Sequence, residues 1–352
     1  MTTPIETFAD LVPADFNWRL YVANYADLQR AGIDTREQAE CHWRTFGCRE
    51  GRTFHPRTRR TIVIAGLSKT GTTALLYRIA DAIADFKRIV FEAAYVPEPG
   101  DDTANIVAKY HIGRDASAAV ESYRDFTHKI AIIRDPRDRL ISNFLFLTQN
   151  RGDIAGNTEF IRTLVALLKR KEQQPAAVSF TDISRQYGTV GLRPEKGEIN
   201  FTSRFADFLD HHPEYFPFRY EAMVAGRLRE LETFLGLSLA GETRIPSSLS
   251  YVVRTRQSGD FRNWFQPSDV DRLRPLFAPV MQRLGYTDDW DLSAQPSIPP
   301  EYGSSYVLKI VNERRLDMGL PPVADNIEPV GDTALAVLRA TGGAITGRAP
   351  RG

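Results

Sequence analysis

Ile62-Val63-Ile64-Ala65-Gly66-Leu67-Ser68-Lys69-Thr70-Gly71-Thr72-Thr73 is the run whose reading decides the fold. Its apolar start has the length of a buried strand, and two glycines bound a turn that carries a lysine. The Thr pair then opens a helix with the apolar stripe Leu75, Leu76, Ile79 and Ile83. Such a strand–turn–helix cradles an anion, because backbone N–H groups and the positive end of the helix dipole converge there. Nucleotide-hydrolase loops read G-x-x-x-x-G-K-[ST], with the lysine straight after the second glycine. Gly66 and Gly71 keep that spacing, but Thr72 takes the lysine position and Lys69 lies inside the loop. The loop reads as a phosphate cradle for a ligand other than ATP, with Ser68, Lys69, Thr70, Gly71, Thr72 and Thr73 around it.

Outward from the loop, apolar runs at 61–65, 88–92, 104–110 and 128–133 have strand length, and a further strand is expected near Tyr215–Tyr220. Asp135-Pro136 starts a second helix, with Asp at the N-cap and Pro in the first turn; it buries Leu140, Ile141, Phe144 and Leu145. The alternation predicts an α/β fold, a parallel β-sheet flanked by helices on both faces, with ligands at the carboxyl ends of the strands. Residues 157 to 240 read as mostly helical. A late helix is expected from Ser268, with Asp271 as its capping partner, to Gly285, kinked or broken at Pro275 and Pro279.

Residues 1–56 read as a separate helical module. Phe16, Leu20, Tyr21 and Leu28 recur at helical spacing, and Asp34 with Glu37 marks the cap of a second helix. That helix would bury Ala39, Trp43 and Phe46 and stop at Gly47. Arg57-Thr58-Arg59-Arg60 forms a basic linker into the main domain, 57–295. Beyond it, 296–352 loses periodicity and reads as an irregular extension, partly disordered towards its end.

Hydrophobic content of 42%, charged content of 25% and net charge +1 describe an ordinary globular chain with no field to attract nucleic acid or a membrane surface. Any anion site has to come from local clustering. Cys41 and Cys48 are the only cysteines, so no thiolate metal framework is expected and a reduced, cytoplasmic setting is. The start, Met1-Thr2-Thr3-Pro4, lacks a basic region followed by an apolar core, so no signal peptide is expected, and no window has the length of a membrane span.

Three segments gain meaning beside the loop. His128 to Ser142 delivers Arg134 at a strand end and Ser142 two helical turns later, a guanidinium fork and a hydroxyl suited to one phosphate monoester. Arg254-Thr255-Arg256-Gln257-Ser258-Gly259-Asp260-Phe261-Arg262 is a basic segment with a glycine hinge, able to fold over an anion. Lys109-Tyr110-His111 ends the third apolar run with a cation and a titratable imidazole.

Together these motifs resemble the sulfotransferases that use 3′-phosphoadenosine 5′-phosphosulfate, over roughly residues 60 to 290. The resemblance implies a P-loop-like sulfotransferase fold in which Lys69-Thr70-Gly71-Thr72-Thr73 holds the 5′-phosphosulfate. Arg134 and Ser142, eight residues apart, would hold the 3′-phosphate, and Arg254, Arg256 and Gly259 would belong to the segment covering the nucleotide. Tyr220, paired with Glu221, would pack near the adenine. Lys109-Tyr110-His111 matches the catalytic strand end, with His111 as base; Glu92 competes with it, because some glycan sulfotransferases use a glutamate. Lys69 and Lys109 would stabilise charge on the transferring group, and no metal is implied. Two positions depart from the pattern: Ala74 replaces an aromatic, and Arg256 replaces a glycine.

The stretch from Phe16 to Arg52 resembles a short helical module found beside bacterial glycan-modifying enzymes, which implies a carbohydrate or glycolipid acceptor. The competing readings are a nucleotide kinase or NTPase, and a nucleotide-binding scaffold without catalysis.

Overall fold

The computed structural model describes residues 12–14, 16–54, 59–83, 87–91, 94–98, 101, 104–113, 116–241 and 243–341. Strand β1 (Thr61–Gly66) is buried along its whole length because it is the middle of a five-stranded parallel sheet of order β2-β3-β1-β4-β5. The others are β2 (Lys87–Phe91), β3 (Asn105–His111), β4 (His128–Ile133) and β5 (Phe216–Arg219). Gly66 stands in register with His111 on one side and Ile132 on the other, so the carboxyl ends of β1, β3 and β4 finish together. The chain leaves β1 for strands on one side of it and later returns to the other, which makes the ends of β1 and β4 a switch point where α/β folds bind ligands.

Alternate residues of β1 serve opposite faces, as a period of two requires. Ile62 and Ile64 join Val107, Ile130 and Ile132 against Leu75, Leu76 and Ile79 of α4 (Thr72–Ala82). Val63 and Ala65 join Ala108, Tyr110 and Ala131 against Phe205 and Phe208 of a later helix. Between these lie α5 (Ser117–Ser122), α6 (Pro136–Asn150), α7 (Gly152–Gly156), α8 (Thr158–Gln173), α9 (Phe180–Gly188) and then α10 (Pro194–His211), which carries those phenylalanines. Asp135 caps α6 by accepting from the Arg137 amide, and Pro136 opens its first turn, as the sequence predicts. After β5 come α11 (Tyr220–Val224), α12 (Arg229–Leu235), α13 (Phe261–Trp264) and α14 (Pro267–Arg283).

Three local expectations are corrected. Helix α14 begins one residue before Ser268, its capping box pairs Gln266 with Asp269 rather than Ser268 with Asp271, and it runs unbroken through Pro275 and Pro279. Packing of Leu273, Phe277 and Met281 into the core holds it where local propensity alone would break it. In the N-terminal module, α1 (Trp18–Ala23), α2 (Ala26–Arg30) and α3 (Arg36–His42) surround Phe16, Tyr21, Tyr25, Leu28, Ala39, Trp43 and Phe54. The α3 cap is Thr35 with Gln38, one residue later than Asp34 with Glu37. Phe46 is exposed rather than buried: α3 runs into a π-helical turn, Trp43–Gly47, whose wider winding shifts the register after Trp43. Gly47 is required there, since a Cβ would meet the Tyr21 hydroxyl at 2.1 Å.

The C-terminal extension is present but only partly irregular. It carries α15 (Ser304–Asp317) and α16 (Asp332–Ala340), and Tyr306, Val307, Ile310 and Val311 are buried in the largest core cluster with α6, α8 and α14. Helix α15 mixes apolar and polar residues around its circumference, so it lacks the one-sided pattern by which surface helices are recognised. Residues 342–352 lie outside the described residues. No helix among the described residues is long and apolar enough to cross a membrane.

Because Ile310 is fully buried in that shared core, Ile310→Ala should lower the free energy of unfolding by about 2–4 kcal/mol in a urea titration. An unchanged midpoint would mean that α15 is only an appendage.

Candidate functional site

The loop after β1 is held by its own backbone and by neighbours. Lys69 has φ +68°, the only positive value outside glycine among the described residues, and Gly71 follows with φ +91° as the N-cap of α4. A Cβ on Gly71 would lie 2.6 Å from the Tyr220 ring, and one on Gly66 would meet Thr70 and Thr72 at 2.7 and 2.8 Å. Both glycines are therefore demanded by close approach. Thr70 is buried and donates its hydroxyl to the Leu67 carbonyl at 2.8 Å, which makes it a strut of the turn rather than part of a binding surface.

The loop opens onto a cavity of about 880 Å³ at the carboxyl ends of the strands. Ser68, Lys69, Gly71, Thr72, Thr73, Lys109, His111, Arg134, Ser142, Tyr220, Arg254 and Arg256 all line it, so the fold brings together residues spread over most of the chain. Arg134 is 6% exposed and stacks on Tyr220 at 4.4 Å. Its Nη1 donates to the Lys69 carbonyl at 2.9 Å, while Nε and Nη2 have no partner among the described residues. A buried guanidinium with two nitrogens unspent is costly unless an anion completes it.

The electrostatics point the same way. The Lys69 ammonium donates to the Val252 carbonyl at 2.7 Å and lies 4.0 Å from the Phe146 ring. Burial, with Arg134 and Arg254 nearby, pushes its pKa well below the ordinary lysine value. A bound polyanion would relieve that crowding of positive charge. Lys69, Arg78, Lys109, Arg134, Arg254 and Arg256 all line the cavity, and no carboxylate does among the described residues.

At the end of β3, Lys109 and His111 share one face of the strand and both reach the cavity. His111 Nε2 lies 3.2 Å from the Thr72 hydroxyl. The protein wall around it, then the charges of Lys109, Arg139 and Lys69, push its pKa down to about 4, so the imidazole is neutral near pH 7. A neutral imidazole at a cavity wall can accept a proton. Glu92, the competing base, lies outside the described residues.

The segment 254–262 is fastened differently from its reading as a hinged cover. Gly259 has φ +79° and donates its amide to Asp138 at 2.6 Å, and the Phe261 amide donates to the other Asp138 oxygen at 2.9 Å. Gly259 is thus spent on α6 and does not belong to the cavity wall. Burial pushes the Asp138 carboxyl up to about 6. Arg254 is partly spent as well: it pairs with Asp260 at 2.5 Å and donates to the Tyr302 carbonyl at 3.1 Å, leaving Nε unpartnered among the described residues. Arg256 is exposed at the cavity edge.

Sequence reasoning missed Arg78, Asn150 and Tyr251, which also line the cavity, and Asp138 and Arg139, which support it. Arg78 lies one turn beyond Ala74 on α4 and is tied to the Leu239 carbonyl at 3.1 Å. Helical spacing from Ala74 was the only signal that could have located it.

No family model matches the chain, and no curated protein matches it. Among solved structures, a mouse sulfotransferase, SULT7A1 complexed with PAP, aligns over 63% of this chain and 85% of that one, with 16% identity and a TM-score of 0.37.

Gly71→Ala forces a side chain into the left-handed region and against Tyr220, so it should cost about 1–2 kcal/mol in unfolding free energy. Tyr220 fluorescence should change with it, whereas Gly113→Ala, where a Cβ meets nothing within 4 Å, should leave both signals alone.

Proposed function

We propose that this protein transfers a sulfuryl group from 3′-phosphoadenosine 5′-phosphosulfate to a hydroxyl of a sugar, glycan or glycolipid in the cytosol, with residues 57–295 carrying the reaction and residues 1–56 forming a separate module. The observation that carries this reading is the buried Arg134 guanidinium, with two unspent nitrogens in the same cavity as the loop after β1. The sulfotransferase motifs assign the loop to one phosphate and Arg134 with Ser142 to a second, which suits a ligand bearing two separate phosphates. A nucleoside triphosphate would place its charge in one run along the loop. The match of Lys69 to Thr73, Arg134, Ser142 and Arg254 to the sulfotransferase motifs supports the same reading.

In this reading the helix N-terminus, Thr72 and Thr73 hold the 5′-phosphate, and Arg134 with Ser142 holds the 3′-phosphate. The acceptor oxygen attacks sulfur and forms the new S–O bond. The bond from sulfur to the 5′-phosphate oxygen breaks, and its electron pair stays on that oxygen. Lys69 leaves the Val252 carbonyl to stabilise this charge, Lys109 faces the sulfuryl oxygens, and His111 takes the acceptor proton. Catalysis of this kind is mostly positioning and charge stabilisation.

Calorimetry should show adenosine 3′,5′-bisphosphate binding without added metal and more tightly than ATP with Mg²⁺; the reverse preference would support the kinase reading. With labelled donor and a panel of glycan acceptors, His111→Ala should reduce transfer about 10²–10⁴-fold. If Glu92→Gln does so and His111→Ala does not, the base is Glu92.

The pH dependence follows from the depressed histidine. The base works only when neutral, so kcat/KM for the acceptor should be flat near neutral pH and fall as pH drops through the His111 pKa, which is about 4 before phosphates bind. Bound phosphates favour the imidazolium, so the acid limb of kcat, which reports the complex, should lie at higher pH.

A further inference from the structure

Beneath the loop lies a buried ion pair to which the transfer chemistry gives no role. Arg139, on α6, donates Nε to Glu198 Oε1 of α10 at 2.6 Å and Nη1 to the Ser68 carbonyl at 2.8 Å. The two side chains are 4% and 0% exposed, and neither belongs to the cavity wall. The Thr202 hydroxyl adds a donor to Glu198 Oε1 at 3.1 Å. Arg139 Nη2 and Glu198 Oε2 have no partner among the described residues. A buried pair left this incomplete is weak evidence for stability, since apolar side chains of similar size avoid the desolvation. It does fix a direction.

That direction is set at the Ser68–Lys69 peptide. In a planar trans peptide the C=O and N–H point opposite ways, so drawing the Ser68 oxygen onto Arg139 turns the Lys69 N–H away from that guanidinium, in a loop whose Ser68 and Lys69 both line the cavity. Arg134 holds the next carbonyl, that of Lys69, at 2.9 Å. Between these two anchored carbonyls lies the left-handed Lys69, a conformation that persists only where its surroundings over-determine it.

We infer that Arg139, locked by Glu198, is a positioning residue: it sets the Ser68–Lys69 peptide so that the loop presents a backbone N–H to a bound phosphate. The inference rests on the phosphate-site reading above. It has a second consequence. The groups facing His111 are Lys109 on its own strand, Lys69 on the loop, Arg139 from α6 and the Thr72 hydroxyl from α4. Arg139 is thus one of three cations keeping the imidazole neutral, and its removal moves the acid limb of kcat/KM to higher pH.

The test pairs the double variant Arg139→Met with Glu198→Met, which removes both buried charges together, with the single variant Glu198→Gln. Thermal melts establish folding, and calorimetry uses two probes, inorganic pyrophosphate and adenosine 3′,5′-bisphosphate. The folded double variant should bind pyrophosphate about 10- to 100-fold more weakly than wild type, the loss expected for a mispositioned charge-assisted contact. Glu198→Gln should shift in the same direction by less, and it decides the matter if the double variant does not fold. Unchanged pyrophosphate affinity in the deciding variant overturns the inference, as does an acid limb that stays in place in the folded double variant, which alone lacks the Arg139 charge. Wild type that binds pyrophosphate but not the bisphosphate would sink the sulfotransferase reading alone. Wild type that binds neither would sink both.

Discussion

Two arginines hold two successive carbonyls of the loop after β1: Arg139 takes that of Ser68 and Arg134 that of Lys69. These hydrogen bonds constrain the rest of the site. They brace the left-handed Lys69 from both sides, each engaging a loop oxygen with a guanidinium. The loop then enters α4 through Gly71, whose lack of a side chain lets Tyr220 pack against the turn. Tyr220 in turn carries the Arg134 guanidinium on its ring face, so turn, ring and cation form one packed unit.

The same unit explains why positive charge can be concentrated in a chain whose net charge is only +1. Arginines outside the cavity wall are neutralised by buried partners: Arg137 by Asp135, and Arg139 by Glu198. Arg254 lies on the wall but shares its charge with Asp260. Lys69 and Arg134 form no such ion pair among the described residues, and the depressed Lys69 pKa is the electrostatic consequence. Charge is thus balanced around the cavity and left unbalanced inside it, which focuses the field on a ligand.

Asp138 ties the cover to this unit. Its carboxylate accepts from the Gly259 and Phe261 amides, so the segment that a sequence reader would treat as a hinged flap is fastened to α6 three residues beyond Asp135. Gly259 is glycine because the bend to Asp138 needs φ +79°.

Local patterns along the chain specify the parallel α/β class, the positions of all five strands, and the loop with its two glycines. They also pick out Arg134, Ser142, Lys109 and His111, which the fold brings to one cavity. These are local signals: strand-length apolar runs, glycine spacing, an Asp-Pro cap, and side chains at strand ends whose destination follows from the topology of a parallel sheet. The tertiary structure alone decided the brace of Arg139 and Glu198, the clamp on Gly259, the place of Arg78 on the wall and the burial of α15. Arg139 reaches Ser68 across 71 residues and Glu198 across 59, and Asp138 reaches Gly259 across 121. No periodicity or capping rule spans such separations, because the choice of partner is made only when packed elements bring particular donors and acceptors within hydrogen-bond range.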